Sequence, residues 1–249
     1  MKNYLIIGAS SDIGLAYIRH LEEICSDEDD VTVIAHYNTM SPKFKMLTDS
    51  VKKISIHAVK GDLSEPDDTK RVISQTKNLI GNPTHILHLP AGKFHHMRIK
   101  QFDTKKTLQE LNIQLFSLGE TLKEFLPAMA KEGTGRVVVM LTAYTLGIPP
   151  KYVTDYIICK YALLGLVRAA ASEYGDKGVT INGISPTMIE SKFICDLDER
   201  IVESLAKEAP LGRNITIDEV VGAIDYLMSD FSSYVNGTNL NITGGGVLI

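Results

Sequence analysis

Short apolar, β-branched runs recur along the chain at residues 3–8, 31–36, 54–59, 84–89, 136–142, 179–184 and 239–242. Between them lie stretches, at about 12–25, 66–80, 103–131, 154–175 and 216–229, whose apolar residues fall at helical spacing. Several of these open on good start signals, such as Asp67-Asp68 and Thr216-Ile217-Asp218-Glu219. Strand followed by helix, repeated, predicts a seven-stranded parallel sheet with helices on both faces. No Pro/Gly/Ser-rich linker and no repeat divides the chain, so residues 1–249 read as a single domain.

Two of the helical stretches are more apolar than a surface helix requires. One carries Leu111, Ile113, Leu115, Phe116, Leu118, Leu122, Phe125 and Leu126; the other is the segment from Tyr161 to Ala171. Apolar residues surround most of each axis, where a surface helix shows one stripe. The additional face packs either on another subunit, which predicts a homotetramer or homodimer, or inside the monomer.

Composition narrows the function without naming it. The 249 residues are 44% hydrophobic and 22% charged, ordinary globular material. Net charge is −4, from 26 basic and 30 acidic residues, with no sustained Lys/Arg cluster, so neither nucleic acid nor an anionic membrane is the expected partner. The apolar run from Tyr4 to Ile7 stops at Gly8, too short for a signal peptide or a membrane span, and the cytoplasm is the expected location. Cys25, Cys159 and Cys195 lie far apart with no Cys-x-x-Cys, which fits neither a disulfide framework nor zinc, and no metal is assigned.

Candidate chemistry begins at Tyr156. Of ten tyrosines it alone has a lysine four residues on, in Tyr156-Ile157-Ile158-Cys159-Lys160. One helical turn separates the two, so phenol and ammonium emerge on the same face. A phenol titrates near pH ~10 and is ordinarily a poor proton shuttle, but a cation a few ångströms away moves a pKa by roughly 1–3 units. Lys160 is therefore expected to make Tyr156 acidic enough for general acid–base work. The same spacing also arises by chance on a buried helix.

At the amino terminus, the first strand runs into Gly8-Ala9-Ser10-Ser11-Asp12-Ile13-Gly14 and then a helix. Glycines there let the backbone turn tightly and approach a pyrophosphate, which the helix terminus stabilises. Such turns also occur for packing alone.

Together these motifs resemble the short-chain dehydrogenase/reductase family, most nearly its 3-oxoacyl-acyl-carrier-protein reductase branch. Gly8 and Gly14 match the outer glycines of the family's Gly-x-x-x-Gly-x-Gly loop; Asp12 stands where the middle glycine falls and is expected to cap the helix. Asp62-Leu63 resembles the adenine-contacting aspartate segment, and Ala91-Gly92 the end of an Asn-Asn-Ala-Gly turn whose first two positions here are Leu89 and Pro90. Tyr156 and Lys160 match the catalytic helix, Asn112 the asparagine of the preceding helix, and Thr142 the position of the usual serine. Pro186 and Thr187 resemble a Pro-Gly turn beside the nicotinamide, with Ile189 and Ser191 as further cofactor contacts and residues 188–209 as the substrate loop. Asn241-Ile242-Thr243-Gly244-Gly245 resembles the closing strand and turn.

The resemblance implies a Rossmann doubly wound fold and an oxidoreductase that interconverts a carbonyl and a secondary alcohol. It gives Tyr156 the proton, Thr142 the bond to the carbonyl oxygen, Lys160 the nicotinamide ribose and Asn112 a proton-relay water. After the second strand come His36, Tyr37 and Asn38, with no acid to repel a 2′-phosphate, so NADP(H) is favoured over NAD(H), although no arginine accompanies them. The acidic run Asp27-Glu28-Asp29-Asp30 precedes that strand and lies at the wrong end of the sheet. The departures at Asp12, Pro90, Thr142 and Thr187 motivate a second reading, a catalytically weakened protein that senses nucleotide or acts as a scaffold. His95-His96 reads as a pair of surface histidines.

Overall fold

A computed structural model describes residues 2–26, 28–93, 96–190 and 199–248. Seven parallel strands form one sheet: β1 (Lys2–Ile7), β2 (Val31–Tyr37), β3 (Ser55–Lys60), β4 (His85–His88), β5 (Gly135–Met140), β6 (Val179–Pro186) and β7 (Asn239–Ile242). Their order is β3-β2-β1-β4-β5-β6-β7. The chain therefore builds outward from β1 in one direction and, after β3, crosses back to β4 and builds in the other. This is the Rossmann-type doubly wound arrangement, and the β1/β4 boundary is the point where a crevice opens at the strands' carboxyl ends.

Period-two alternation within the strands divides the core. Tyr4 and Ile6 of β1 face one layer, with Val33 and Val138, and pack on helices α1 (Asp12–Ile24) and α8 (Ile217–Met228) through Leu15, Ile18, Ile224 and Leu227. Leu5 and Ile7 face the other, with Ile34 and Val137, and pack on α3 (Pro66–Ile80), α5 (Ser117–Glu132) and α6 (Thr154–Tyr174) through Val72, Leu118, Phe125, Leu163 and Val167. Central strands buried on both faces lack polar alternation, which is why they read as continuous apolar runs.

Three departures from the expected elements have identifiable causes. The helix α2 (Pro42–Ser50) was not anticipated: it buries only Phe44 and Leu47, leaving too faint a stripe, and owes its start to the Ser41 cap and Pro42. The single helix expected over 103–131 is α4 (Thr104–Leu111), a π-helical turn (Asn112–Phe116) and α5. The π turn holds an extra residue and so rotates everything after it relative to a regular helix. Third, Asp12 does not cap α1. Ser11 does, its Oγ accepting the Gly14 N–H at 3.1 Å, and Asp12 is the first helical residue, where its charge suits the positive end of the helix dipole. The remaining helix, α7 (Glu199–Glu208), lies within the segment expected to form the substrate loop. Among the described residues no helix is long and apolar enough to cross a membrane.

Candidate active site

The crevice at the sheet's carboxyl edge is a cavity of about 480 Å³ that gathers residues from β1 through β6. Its first wall is the glycine loop. Gly8 adopts φ +82°, left-handed backbone that a side chain strains, and it lines the cavity with Ser10, Ser11, Asp12 and Ile13. Gly14 does not line it; a Cβ there would lie 2.6 Å from the Ala9 carbonyl oxygen, so this glycine seats the helix against the loop. A bare turn leading into a capped helix terminus fits the pyrophosphate of a dinucleotide.

Asn38, Asp62 and Leu63 extend the cavity beyond the glycine loop, and Tyr37 instead packs its ring on Phe44 at 5.3 Å between centroids. Asp62 is held in a tight turn: its Oδ1 accepts from the backbone and hydroxyl of Ser64 at 3.0 and 2.8 Å, and its own N–H donates to Asp68 at 2.8 Å. Ala91 and Gly92 follow β4 and also line the cavity. The Glu110 carboxylate accepts the Gly92 N–H at 3.1 Å and sits where a Cβ on Gly92 would be.

At the opposite end Thr142, Tyr156 and Lys160 line the same cavity, with Pro186, Thr187 and Ile189 beside them. Thr142 follows β5, and Tyr156 and Lys160 stand one turn apart near the start of α6. The Tyr156 phenol hydrogen-bonds Thr142, and its ring meets Tyr144 edge-on at 6.4 Å. Lys160 is buried and donates from Nζ to the Met140 carbonyl at 2.9 Å. The other hydroxyls near the strand are occupied: Thr145 donates to the Thr142 carbonyl at 2.8 Å, and Thr154 to that of Met97 at 3.1 Å. Asn239 in turn donates to Thr145 at 2.9 Å, so β7 braces the backbone that carries Thr142.

The expected lysine-driven acidification of the phenol is not what this geometry produces. Burial pushes Tyr156 up to about 12, and the force opposing it is the Thr142 hydrogen bond. The Lys160 ammonium lies 5.6 Å from the ring centroid and is directed to Met140. Burial brings Lys160 itself down to about 8, with Cys159 and Glu110 countering, so it remains largely charged at neutral pH. The pair thus consists of a proton-bearing phenol and an ammonium beneath it.

Asn112 is not brought into the cavity; its amide donates to the Ser64 carbonyl at 3.1 Å and ties the end of α4 to the Asp62 turn. The amide adjoining the site is Gln114, buried on the π turn, which donates to Glu110 at 2.9 Å while Glu110 holds Gly92. The four-residue spacing puts Gln114 and Glu110 on one face, and only the contact of Glu110 with Gly92 brings that face to the edge of the cavity. The cavity also takes His36, Lys93, Ile113 and Leu141, for which the sequence carries no motif. Ser191 and His95 lie outside the described residues; His96 is exposed.

Comparison with known proteins agrees with this architecture. The family profile described as "Enoyl-(Acyl carrier protein) reductase" matches residues 8–246. A 3-oxoacyl-[acyl-carrier-protein] reductase of Rickettsia prowazekii is 27% identical over 100% of this chain and 98% of its own. A D-beta-hydroxybutyrate dehydrogenase of Rhizobium meliloti is 26% identical over 98% of both chains. Among solved structures, a gluconate 5-dehydrogenase from Burkholderia cenocepacia in complex with NADP and tartrate superposes with a TM-score of 0.83 at 21% identity, covering 98% of this chain and 94% of that one. The glycine loop, the doubly wound sheet and the profile spanning nearly the whole length agree: this chain belongs to the short-chain dehydrogenase/reductase family of NAD(P)-dependent oxidoreductases acting on carbonyl and alcohol groups.

Proposed function

We propose that this protein is a carbonyl reductase using NADP(H), with a 3-oxoacyl thioester as its leading substrate class, and that residues 1–249 act as one domain. The observation that carries the reading is that Thr142, Tyr156 and Lys160 share one cavity with the glycine loop. The bound nicotinamide supplies hydride to a carbonyl carbon, or takes it from the alcohol. Tyr156 donates the proton to the carbonyl oxygen, and Thr142 donates a hydrogen bond to the same oxygen. Lys160 keeps positive charge beneath the phenol, and its reach from Met140 into the cavity suits a ribose hydroxyl. Asn112 acts as a positioning residue through Ser64.

At the cofactor's other end Gly8, Ser10, Ser11 and Ile13 receive the pyrophosphate, Asp62 and Leu63 the adenine, and Pro186, Thr187 and Ile189 the carboxamide side, with Ser191 as a further contact. NADP(H) over NAD(H) rests on the absence of an acid at Tyr37 and Asn38 and on the NADP carried by the gluconate 5-dehydrogenase of the same fold. The substrate class rests on the 3-oxoacyl-[acyl-carrier-protein] reductases among the relatives.

Because the phenol holds its proton through neutral pH, it is ready there as the acid that reduction needs, and alcohol oxidation, which needs the phenolate, should accelerate as pH rises. Assembly as a homodimer or homotetramer is supported by apolar side chains left exposed on α4, the π turn and α6, among them Leu108, Phe116, Ile158 and Tyr161. Light scattering should give at least twice the 27.4 kDa chain mass; a monomer would remove that part of the reading.

The deciding experiment follows NADPH oxidation with a panel of ketones and 3-oxoacyl thioesters. Tyr156→Phe should reduce turnover by about 10²–10⁴-fold while leaving NADPH binding in place. Turnover unaffected by that change defeats the catalytic assignment. NADPH binding without turnover across the panel favours the sensing protein.

A further inference from the structure

His36 is the penultimate residue of β2 and lines the cavity below the glycine loop, 3% exposed, with both ring nitrogens engaged. The Gly8 N–H reaches Nδ1 at 3.1 Å, and Nε2 lies 3.0 Å from the Gly61 carbonyl oxygen. A backbone N–H only donates and a carbonyl only accepts, so the two partners fix the ring's state: Nδ1 is a bare acceptor and Nε2 carries the proton. The imidazole is neutral in a single tautomer. A second bond on the same segment, from the Ala9 N–H to the His36 carbonyl at 2.8 Å, fastens the next residue of the loop to the same histidine.

Three chain segments thus converge on one ring: the glycine loop after β1, the end of β2, and Gly61 after β3. Gly61 is itself constrained, because a Cβ there would lie 2.6 Å from Val72 Cγ2 and 3.4 Å from His36 Nε2. Gly61 immediately precedes the Asp62 turn, so the imidazole couples two walls of the cavity at the end away from Tyr156.

We propose that His36 is a positioning residue for the cofactor: its neutral ring holds Gly8 in the left-handed turn and sets the distance between the glycine loop and the Asp62 turn. It rests on the dinucleotide reading of the cavity and deepens it, since the residue acts on cofactor affinity through Gly8 and not on proton transfer. Burial favours the required neutral form by pulling the ring's pKa down, against the opposing influence of the Gly61 carbonyl, Asp68 and Asp62.

Two substitutions separate the ring's bonds. His36→Asn places an amide oxygen near Nδ1 and keeps an acceptor for Gly8, whereas His36→Leu removes both links. NADPH affinity is read by fluorescence titration on the intact protein. Leu at this position should weaken binding by about tenfold, because the buried Gly8 donor is left unpaired and the link to Gly61 is lost with it, and Asn should stay within about threefold of the native protein. With Leu, KM for NADPH should rise in step while kcat at saturating NADPH stays within about twofold, a split that general loosening of the fold does not produce. Nitrogen-15 NMR of the cofactor-free protein should report Nδ1 unprotonated.

Native-like NADPH affinity in the Leu variant overturns the inference, as does a proton on Nδ1. Should the Leu variant fail to fold, the Asn variant decides: a tenfold loss there shows that the Gly8 acceptor is not what matters. Failure of the native protein to bind either NADPH or NADH sinks the dinucleotide reading itself and this inference with it, an outcome distinct from native binding that ignores residue 36.

Discussion

The two ends of the cavity are built from different materials. At the glycine-loop end the proposed ligand contacts are a tight turn and a helix terminus, and side chains mainly serve to hold that backbone: Ser11 caps α1, His36 grips Gly8, and Asp62 and Asp68 tie their own turn. At the other end the proposed chemistry falls to the side chains themselves, the Thr142 hydroxyl, the Tyr156 phenol and the Lys160 ammonium, which line the cavity there. Where backbone conformation is what counts, the identity of a residue can change as long as the conformation survives. Asp12 in place of a glycine and Leu89-Pro90 in place of two asparagines are tolerable on this view. Where a functional group is what counts, the residue type is kept, and even the change at position 142 preserves a hydroxyl.

That contrast can be tested by substitutions of graded effect. Removing the hydroxyl with Thr142→Val, nearly the same size, should cut turnover by about 10²–10³-fold, the usual cost of deleting one donor to a reacting oxygen, with NADPH affinity unchanged. A comparable loss of NADPH affinity would show that the two ends are not separable. At the other end, Gly14→Ala forces a methyl against the Ala9 backbone, which cannot swing aside as a side chain can. It should cost about 1–3 kcal/mol by denaturant unfolding and weaken NADPH binding, with little change in turnover at saturating cofactor.

Acid should strike the buried histidines before it strikes the proton-transfer groups. His36, His85 and His88 are buried, and burial lowers all three, His85 to about 4 and His88 to about 3. Below pH 6.5 the unfolded chain takes up protons at these positions that the folded protein refuses, so stability falls as pH falls, by about 1.4 kcal/mol per pH unit for each of His85 and His88, with His36 acting in the same direction. The decline stops for each ring once pH passes its folded pKa. Unfolding free energies between pH 7.5 and 5 measure this; a flat profile would mean the rings are protonated inside the fold. The smallest effect is expected for Thr142→Ser, which keeps the hydroxyl and removes a methyl: turnover should stay within about threefold, in either direction, because the χ1 restriction is lifted while the donor remains. A large loss would make the methyl part of the working site.

Much of this was legible in the sequence because the signals were short-range. Central strands buried on both faces announce themselves as apolar runs, a capped helix as Thr216-x-x-Glu219, a phosphate-type turn as glycines after the first strand. The helix α2 was illegible because only Phe44 and Leu47 of it are buried, so it leaves almost no periodic trace. The residues of the site were legible in part. Thr142, Tyr156 and Lys160 could be placed by motif and spacing, and all three line the cavity. Asn112 could be matched by motif as well, but its amide bonds the Ser64 carbonyl and does not line the cavity, a contact between distant segments that no motif carries.

By itself, then, the sequence determined the alternation of strands and helices, the turn after β1 and the pairing of phenol with ammonium, all properties of neighbours along the chain. Tertiary structure alone decided that Ser11 and not Asp12 closes the helix, that the ammonium bonds Met140 while burial raises the phenol, and that one imidazole joins Gly8 to Gly61. Those outcomes depend on how much water is excluded and on which backbone groups from distant strands arrive within hydrogen-bond reach, and no local pattern encodes either.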